Sequence, residues 1–497
     1  VFNIMTEYIL FKLKNQPLYF CCDKCLKPIL YQEIFPNVEK DGKNYSLEAL
    51  VNNTVFLQNP MFFDDPYDEA HQRWLVGKIF HDYLTVQANE KFDYRHITEN
   101  LKVSVHPPLY FWLLHTVCSF FPDVFSPWQA GSLNLIFFCL TLIMFYKLCR
   151  VFIKDEYLAM IPVFLWGFSG AGLATALFLR MYMLQTLLVV CLLYETSLML
   201  TENKADKKRL LLIFLYSMSG ILTQFSVLIF SFVLTGVCGI VLLRRRNKRV
   251  LIGFSGAMLA SVIAAFLVFP QMLYILFFSV DGAYITSSVK GINWLLLKNY
   301  LFDYDHNMFA EYFFYLFGND CCAFLMYFIL CGMLFICFQK GEGKNTVLGV
   351  WVLLFAGLTF YFDFFMPRNN MGGGRYFFLL MPLAALILVY FICNIFVWCR
   401  VKPVVTQCVL WGTMLFFAGS FKWAEFPYSI SLSAETKSAM QMFAKKNILV
   451  RGYSRHLHDV IYVFTQAHQV YLADMKTNAP FSDALEKADY VLVYNNY

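Results

Sequence analysis

Asp68 and Glu69 close the densest acidic run outside the apolar segments, Phe62-Phe63-Asp64-Asp65-Pro66-Tyr67-Asp68-Glu69. A carboxylate beside a lipid surface but open to water can act as a general base, taking the proton of an acceptor hydroxyl as its oxygen attacks. Asp68 suits that role, and Glu69 would position it or bind a hydroxyl group or a divalent cation. The same run also reads as a helix start. Asp65 would be the N-cap, Pro66 the first helical residue and Asp68 a first-turn charge that suits the helix dipole. Spacing alone supports both readings.

Three arginines stand at the edges of apolar runs: Arg180 in Phe178-Leu179-Arg180-Met181-Tyr182, Arg368, and Arg375 in Gly374-Arg375-Tyr376. An arginine at membrane depth costs free energy unless its head reaches water or finds an anion. Its planar fork donates to two phosphate oxygens at once, so Arg180 and Arg375 are natural clamps for a lipid phosphate. Snorkelling beside interfacial tyrosines is the plainer reading, and it is the one favoured for Arg368. His106 precedes Pro107 and Pro108, and a lone histidine is more often a structural hydrogen-bonder than a catalyst. Cys22-Asp23-Lys24-Cys25 has CxxC spacing without a second pair or a nearby histidine, which points to a local disulfide or free thiols rather than zinc. Asn52-Asn53-Thr54 fits a glycosylation acceptor. Walker, GxGxxG and HExxH patterns do not occur, which argues against an ATPase, a Rossmann-type nucleotide-sugar enzyme or a zinc protease. Any activated donor should therefore be carried by the membrane, and no nucleic-acid partner is implied.

The elements that must position these residues follow from composition. The chain has 497 residues, of which 59% are hydrophobic and only 15% charged. A soluble domain carries about a quarter of charged residues, so this is an α-helical polytopic membrane protein. The 15 cysteines fall mostly in or beside apolar runs and read as small hydrophobes. About ten runs approach the roughly 20 apolar residues that cross the hydrocarbon. They lie near 129–147, 157–175, 183–200, 209–223, 226–243, 250–270, 321–338, 346–365, 376–398 and 403–420.

Basic residues sort onto alternate connections. Lys147, Arg150 and Lys154 occupy one, Lys204, Lys207, Lys208 and Arg209 the next, then Arg244, Arg245, Arg246, Lys248 and Arg249, with Lys340, Lys344, Arg400 and Lys402 continuing the pattern. Those loops should be cytoplasmic. The segment 1–128, the loop 271–320 and the tail 421–497 then lie outside the cytoplasm, and an eleventh helix ahead of Val1 would let the chain start inside. Three domains follow: the first outer loop 1–128, the helical membrane domain 129–420 and the small outer domain 421–497. Within the first loop, Trp74, Leu75, Ile79, Phe80, Tyr83 and Leu84 recur near a 3.6 period, predicting an interfacial helix over 70–84. A second short helix opens at His106-Pro107-Pro108. In the tail, helical stretches alternate with Asn447-Ile448-Leu449-Val450, Val470-Tyr471-Leu472 and Tyr490-Val491-Leu492-Val493-Tyr494, predicting a small α/β unit with a partly parallel sheet.

Taken together, Asp68-Glu69, His106-Pro107-Pro108-Leu109-Tyr110, Arg180-Met181-Tyr182 and Arg375-Tyr376 with Pro382 beyond it resemble the GT-C superfamily of integral-membrane glycosyltransferases. The likeness is to the branch of polyprenyl-phosphate-mannose protein mannosyltransferases and aminoarabinose transferases, and it spans roughly residues 60–400. It implies about ten to eleven transmembrane helices and inverting transfer of a sugar from a polyprenyl-phosphate donor to an acceptor hydroxyl outside the cytoplasm. On that basis Asp68 is the general base and Glu69 its neighbour. Arg180, Arg375 and Tyr182 hold the donor phosphate, and His106, Tyr376 and Gln224 support them. Gln224, in Leu222-Thr223-Gln224-Phe225, stands where relatives often carry His-Tyr. The residues make no cofactor certain and admit a divalent cation, and the acceptor is open between protein, glycan and lipid. A secondary transporter or flippase would use the same arginines on an anionic or lipid-linked substrate, but related halves and broken midplane helices are not visible in the sequence. A non-catalytic membrane scaffold is the third reading, and it would need no carboxylate–arginine set.

Overall fold

The described residues of the apolar runs are almost all helical in the computed structural model, which describes residues 37–40, 43–46, 74–101, 106–124, 126–273, 309–318, 324–339, 343–365, 373–420, 443–452, 466–474 and 487–493, with a few single residues besides. Asp68, Glu69, Arg368, the Cys22–Cys25 pair and Asn52 lie outside the described residues.

The chain opens with strands β1 (Asn37–Lys40), β2 (Lys43–Ser46) and β3 (Trp74–Val76), then short helices α1 (Gly77–Leu84), α2 (Tyr94–Leu101) and α3 (Leu109–Ser119). The membrane domain follows as α4 (Pro127–Phe152), α5 (Glu156–Gly167), α6 (Gly170–Leu177), α7 (Tyr182–Glu202), α8 (Lys207–Ile221), α9 (Ser226–Arg244) and α10 (Lys248–Val268). It continues with α11 (Ala310–Phe317), α12 (Leu325–Gln339), α13 (Lys344–Phe365), a 3-10 helix (Gly373–Leu380), α14 (Met381–Trp398) and α15 (Pro403–Ser420). Strands β4 (Asn447–Gly452), β5 (Gln469–Asp474) and β6 (Tyr490–Val493) close it.

Among the described residues, 6 helices are long and apolar enough to cross a membrane, or 7 if α5 and α6, bent by 55°, make one span. The remaining apolar runs form shorter helices, among them Leu325–Cys337 and Pro403–Phe416. Helix starts are written in the sequence. Ser126 accepts from the Trp128 N–H ahead of Pro127, and the Asp155, Asp206 and Asn247 side chains accept from the N–H groups of Leu158, Arg209 and Val250. Helix α7 is mostly buried and has no single apolar face, as suits a helix surrounded by others, and it ends where Asn203 turns left-handed at φ 52°. Its Ser197 hydroxyl donates back to the Leu193 carbonyl and accepts from the Trp351 indole at 2.9 Å, which locks α7 against α13.

Basic residues gather at one end of the bundle, where they tie helix ends together. Arg245 donates to the Leu200 carbonyl, Asn247 to Asn203, and Arg209 to Glu202 at 2.8 Å. The alternation read from the sequence is thus a physical grouping at one end of the bundle.

The six-stranded sheet has the order β2-β1-β6-β4-β5-β3. Its centre is parallel, β4 pairing with both β5 and β6, as the alternation of helix and strand in the tail predicts. Its outer strands come from the other end of the chain: β1 pairs antiparallel with β6, and β3 with β5. Trp74–Val76 is therefore extended, and the helix expected over 70–84 begins only at Gly77. The Trp74 ring packs on Tyr471 at 5.5 Å instead of facing lipid. Gly77 is required at this junction, because a Cβ there would lie 2.0 Å from the Ala467 carbonyl oxygen.

Candidate functional site

Part-way through the bundle, α5 stops at Gly167 after 12 residues, and α6 leaves at 55° and carries the chain on toward the end opposite the basic loops. The Ser169 hydroxyl caps α6 by accepting from Ala171, and Gly172 lets the turn close, since a Cβ would meet the Trp166 carbonyl oxygen at 2.4 Å. The residues of α6, Gly170-Ala171-Gly172-Leu173-Ala174-Thr175-Ala176-Leu177, mostly small, are all buried. Beyond them Phe178, Leu179 and Arg180 connect to α7. Asn134, within α4, fixes this connection by donating to the carbonyls of Ala176 at 3.2 Å and Phe178 at 3.0 Å. The ring of Phe178 stacks on Tyr182 at 5.3 Å.

Arg180 is held inside by this arrangement, only 2% exposed. Its Nη2 lies 2.9 Å from His106 Nε2. Guanidinium can only donate, so His106 accepts at Nε2 and carries its proton on Nδ1. His106 is placed by the Pro107-Pro108 pair at the head of α3, and the Leu109 N–H donates to the Leu222 carbonyl at 3.0 Å. That bond brings the turn holding Gln224 beside α3. Gln224 is buried, and its side-chain oxygen accepts from the Phe225 N–H at 3.3 Å. In the first turn of α3, the buried Tyr110 hydroxyl donates to Asn134 Oδ1 at 3.4 Å. Burial pushes the Tyr110 phenol well above its ordinary range while the positive charge of Arg180 pulls the other way, so Tyr110 is a neutral donor.

Arg375 comes from the facing 3-10 helix. Phe377 and Phe378 anchor that helix: Phe378 meets Tyr182 at 6.1 Å and Tyr315 at 5.3 Å, and Phe377 meets Tyr312 at 5.3 Å. Residues three apart eclipse on a 3-10 helix, so Arg375 stands above Phe378 on the face that meets the start of α7. Its guanidinium lies 5.0 Å from the Tyr376 ring and donates to the Tyr376 hydroxyl at 3.3 Å. Both are half-buried. Pro382 sits in the first turn of α14, where its missing N–H is harmless.

Of the residues singled out from sequence, the structure joins His106 to Arg180, seats Tyr182 beside them, and sets Arg375 and Tyr376 on the adjoining element. Gln224 borders α3. Asn134, Tyr110 and the Gln185–Ser226 hydrogen bond of 2.6 Å complete the polar interior of this end. Asn134 was not singled out from sequence; the signal that could have found it is an amide inside an apolar span, since a polar group at that depth must find partners. Among the described residues, one group of side chains has cation-ligand chemistry. His81 lies 3.6 Å from Asp82 and 3.5 Å from Asp123, on the exposed rim between α1 and the turn after α3.

No family model matches the sequence, and no curated protein matches it. Solved structures do resemble the fold. ArnT from Cupriavidus metallidurans in the apo state is 12% identical with a TM-score of 0.44, over 83% of this chain and 86% of that one. ArnT bound to undecaprenyl phosphate gives 12% and 0.44, over 82% and 85%. The oligosaccharyltransferase of Archaeoglobus fulgidus in the apo form gives 11% and 0.43, over 79% and 61%.

Proposed function

We propose that the protein transfers a sugar from a polyprenyl-phosphate donor to an acceptor hydroxyl, with inversion, at the bundle end opposite its basic loops. The buried His106–Arg180 pair at the head of α7 carries this reading. When the bond between the anomeric carbon and the phosphate oxygen breaks, negative charge grows on the departing lipid phosphate. A guanidinium already desolvated and oriented stabilises that charge without reorganising. His106 holds the fork of Arg180 in one orientation, Tyr110 offers a neutral hydroxyl nearby, and Arg375 supplies a second cation from the 3-10 helix. Tyr182 and Gln224 shape the walls around Arg180, and Tyr376 steadies Arg375. Asp68 takes the proton of the attacking hydroxyl, with Glu69 at its side. By the positive-inside pattern this end faces away from the cytoplasm.

The test is a transfer assay in nanodiscs with a panel of radiolabelled polyprenyl-phosphate sugars. Asp68→Asn should abolish transfer while the protein stays monodisperse. Arg180→Gln should lower it by about 100-fold, and Arg180→Lys by less, because charge is kept and the fork is lost. Donor that binds through Arg180 but is carried across proteoliposomes without sugar release would replace this reading with the transporter one. Full transfer by both Asp68→Asn and Arg180→Gln would reject the site itself.

A further inference from the structure

A cavity lies at the end of the molecule remote from Arg180, among the basic loops. It measures about 850 Å³ and opens between the ends of α7 and α9 and the start of α13. Helix α7 separates it from Arg180: its 21 residues span about 30 Å, so the two places share no side chain.

The lining is divided by chemistry. Arg244 and Arg245 come from the last turn and cap of α9, Thr201 from the last turn of α7, and Thr346 from the first turn of α13. Arg245 is held in place because it donates to the Leu200 carbonyl. Its neighbour Arg244 is exposed at the mouth. The Thr201 hydroxyl oxygen is buried and has no hydrogen-bond partner among the described residues. The first turn of α13 adds backbone N–H groups that its own helix cannot satisfy, at the positive end of its dipole. All of these favour an anion.

The remaining wall is apolar and continues outward. Ile240 and Leu353 line the cavity and remain 55% and 45% exposed, on helices whose outer faces meet lipid. A free phosphate or other small anion would leave that wall bare, whereas a phospholipid uses both halves: its phosphate at the arginines and its chains along Ile240 and Leu353. The volume is of ligand-site size. Basic pockets between transmembrane helices on the cytoplasmic side are suited to acidic headgroups.

We propose that this cavity binds an anionic phospholipid of the cytoplasmic leaflet, with Arg244, Arg245 and Thr201 on its phosphate. The lipid joins α7, α9 and α13 at the end remote from the Arg180 site, and the inference stands whatever that site does.

The experiment uses the full chain in nanodiscs with photoactivatable phosphatidylglycerol or phosphatidylcholine, mapping labelled peptides. Phosphatidylglycerol should label residues 237–245 and 344–353 about fivefold more than phosphatidylcholine does. Arg244→Gln should remove that preference and Arg244→Lys restore it, while Thr201→Val, which keeps the side-chain shape, should weaken labelling at the same peptides. Equal labelling by the two lipids overturns the proposal. So does a phosphatidylglycerol preference that Arg244→Gln and Thr201→Val both leave intact. Displacement of the label by soluble glycerol phosphate would instead assign the cavity to a free anion, and would also overturn it.

Discussion

His106 accepts from Arg180 and so is neutral at Nε2, whereas His115, nine residues along the same stretch of chain, is neutral for a different reason. His115 is fully buried beneath α2, with its ring against Tyr94 at 5.9 Å. Burial holds its imidazole below the ordinary value of 6.5, with the Glu90 backbone and the charge of Asp93 pulling less strongly upward. The unfolded chain therefore binds a proton that the folded state resists. Stability from this residue is complete above pH 6.5 and declines as pH falls through that value toward the depressed folded one. Thermal unfolding followed from neutral to acidic pH should show the melting temperature of the native protein falling by a few degrees more than that of His115→Phe. Parallel curves would show that His115 does not carry the effect. Cys118, on the same helix, has its thiol pushed up to about 12 by burial and is inert.

Elements in this protein act by holding each other's ends. The Phe178–Arg180 connection has no regular structure of its own, and Asn134 supplies two of the bonds that set its course. Asn134→Leu keeps the bulk but leaves the Ala176 and Phe178 carbonyls without that donor, at a cost of about 1–3 kcal/mol. The expected outcome is a transfer rate reduced at least as far as by Arg180→Lys, with helix content unchanged by circular dichroism. A variant as active as the native protein would show that α6 alone positions Arg180. The 3-10 helix is an element of the same kind. Eight residues are long for this geometry, and buried Phe377 and Phe378 hold it so that Arg375 comes round on the Tyr182 side.

Across the whole molecule, the segment ahead of the membrane helices and the tail are joined in one sheet. Strand β3 lies along β5 with Val76 opposite Gln469, both close to the surface. Val76→Cys with Gln469→Cys should form a disulfide under mild oxidation, so that a protease cut in the intervening chain leaves the two pieces linked until reduction. Failure to link, with both cysteines reactive toward maleimide, would refute the pairing. Because Trp74 packs on Tyr471 only eight residues before the α1 rim reaches Asp82, the sheet is anchored directly beside the segment that contains Asp68 and Glu69 in sequence.

What the sequence determined by itself was whatever depends on short-range pattern. Apolar runs became helices, prolines and capping side chains began them, basic residues collected at one end, and the strands of the tail paired parallel. Each rests on hydrogen bonding and hydrophobicity within a few residues or one helix length. The pairing of His106 with Arg180, 74 residues apart, was not legible as a contact, although each residue stood out alone. Nor was the role of Asn134, nor the extension of Trp74–Val76, whose apolar spacing fits a helix as well as a strand until β5 supplies the partner. Tertiary structure decided these because a buried polar group or an edge strand is satisfied only by groups brought from elsewhere in the chain, and local pattern carries no record of which ones.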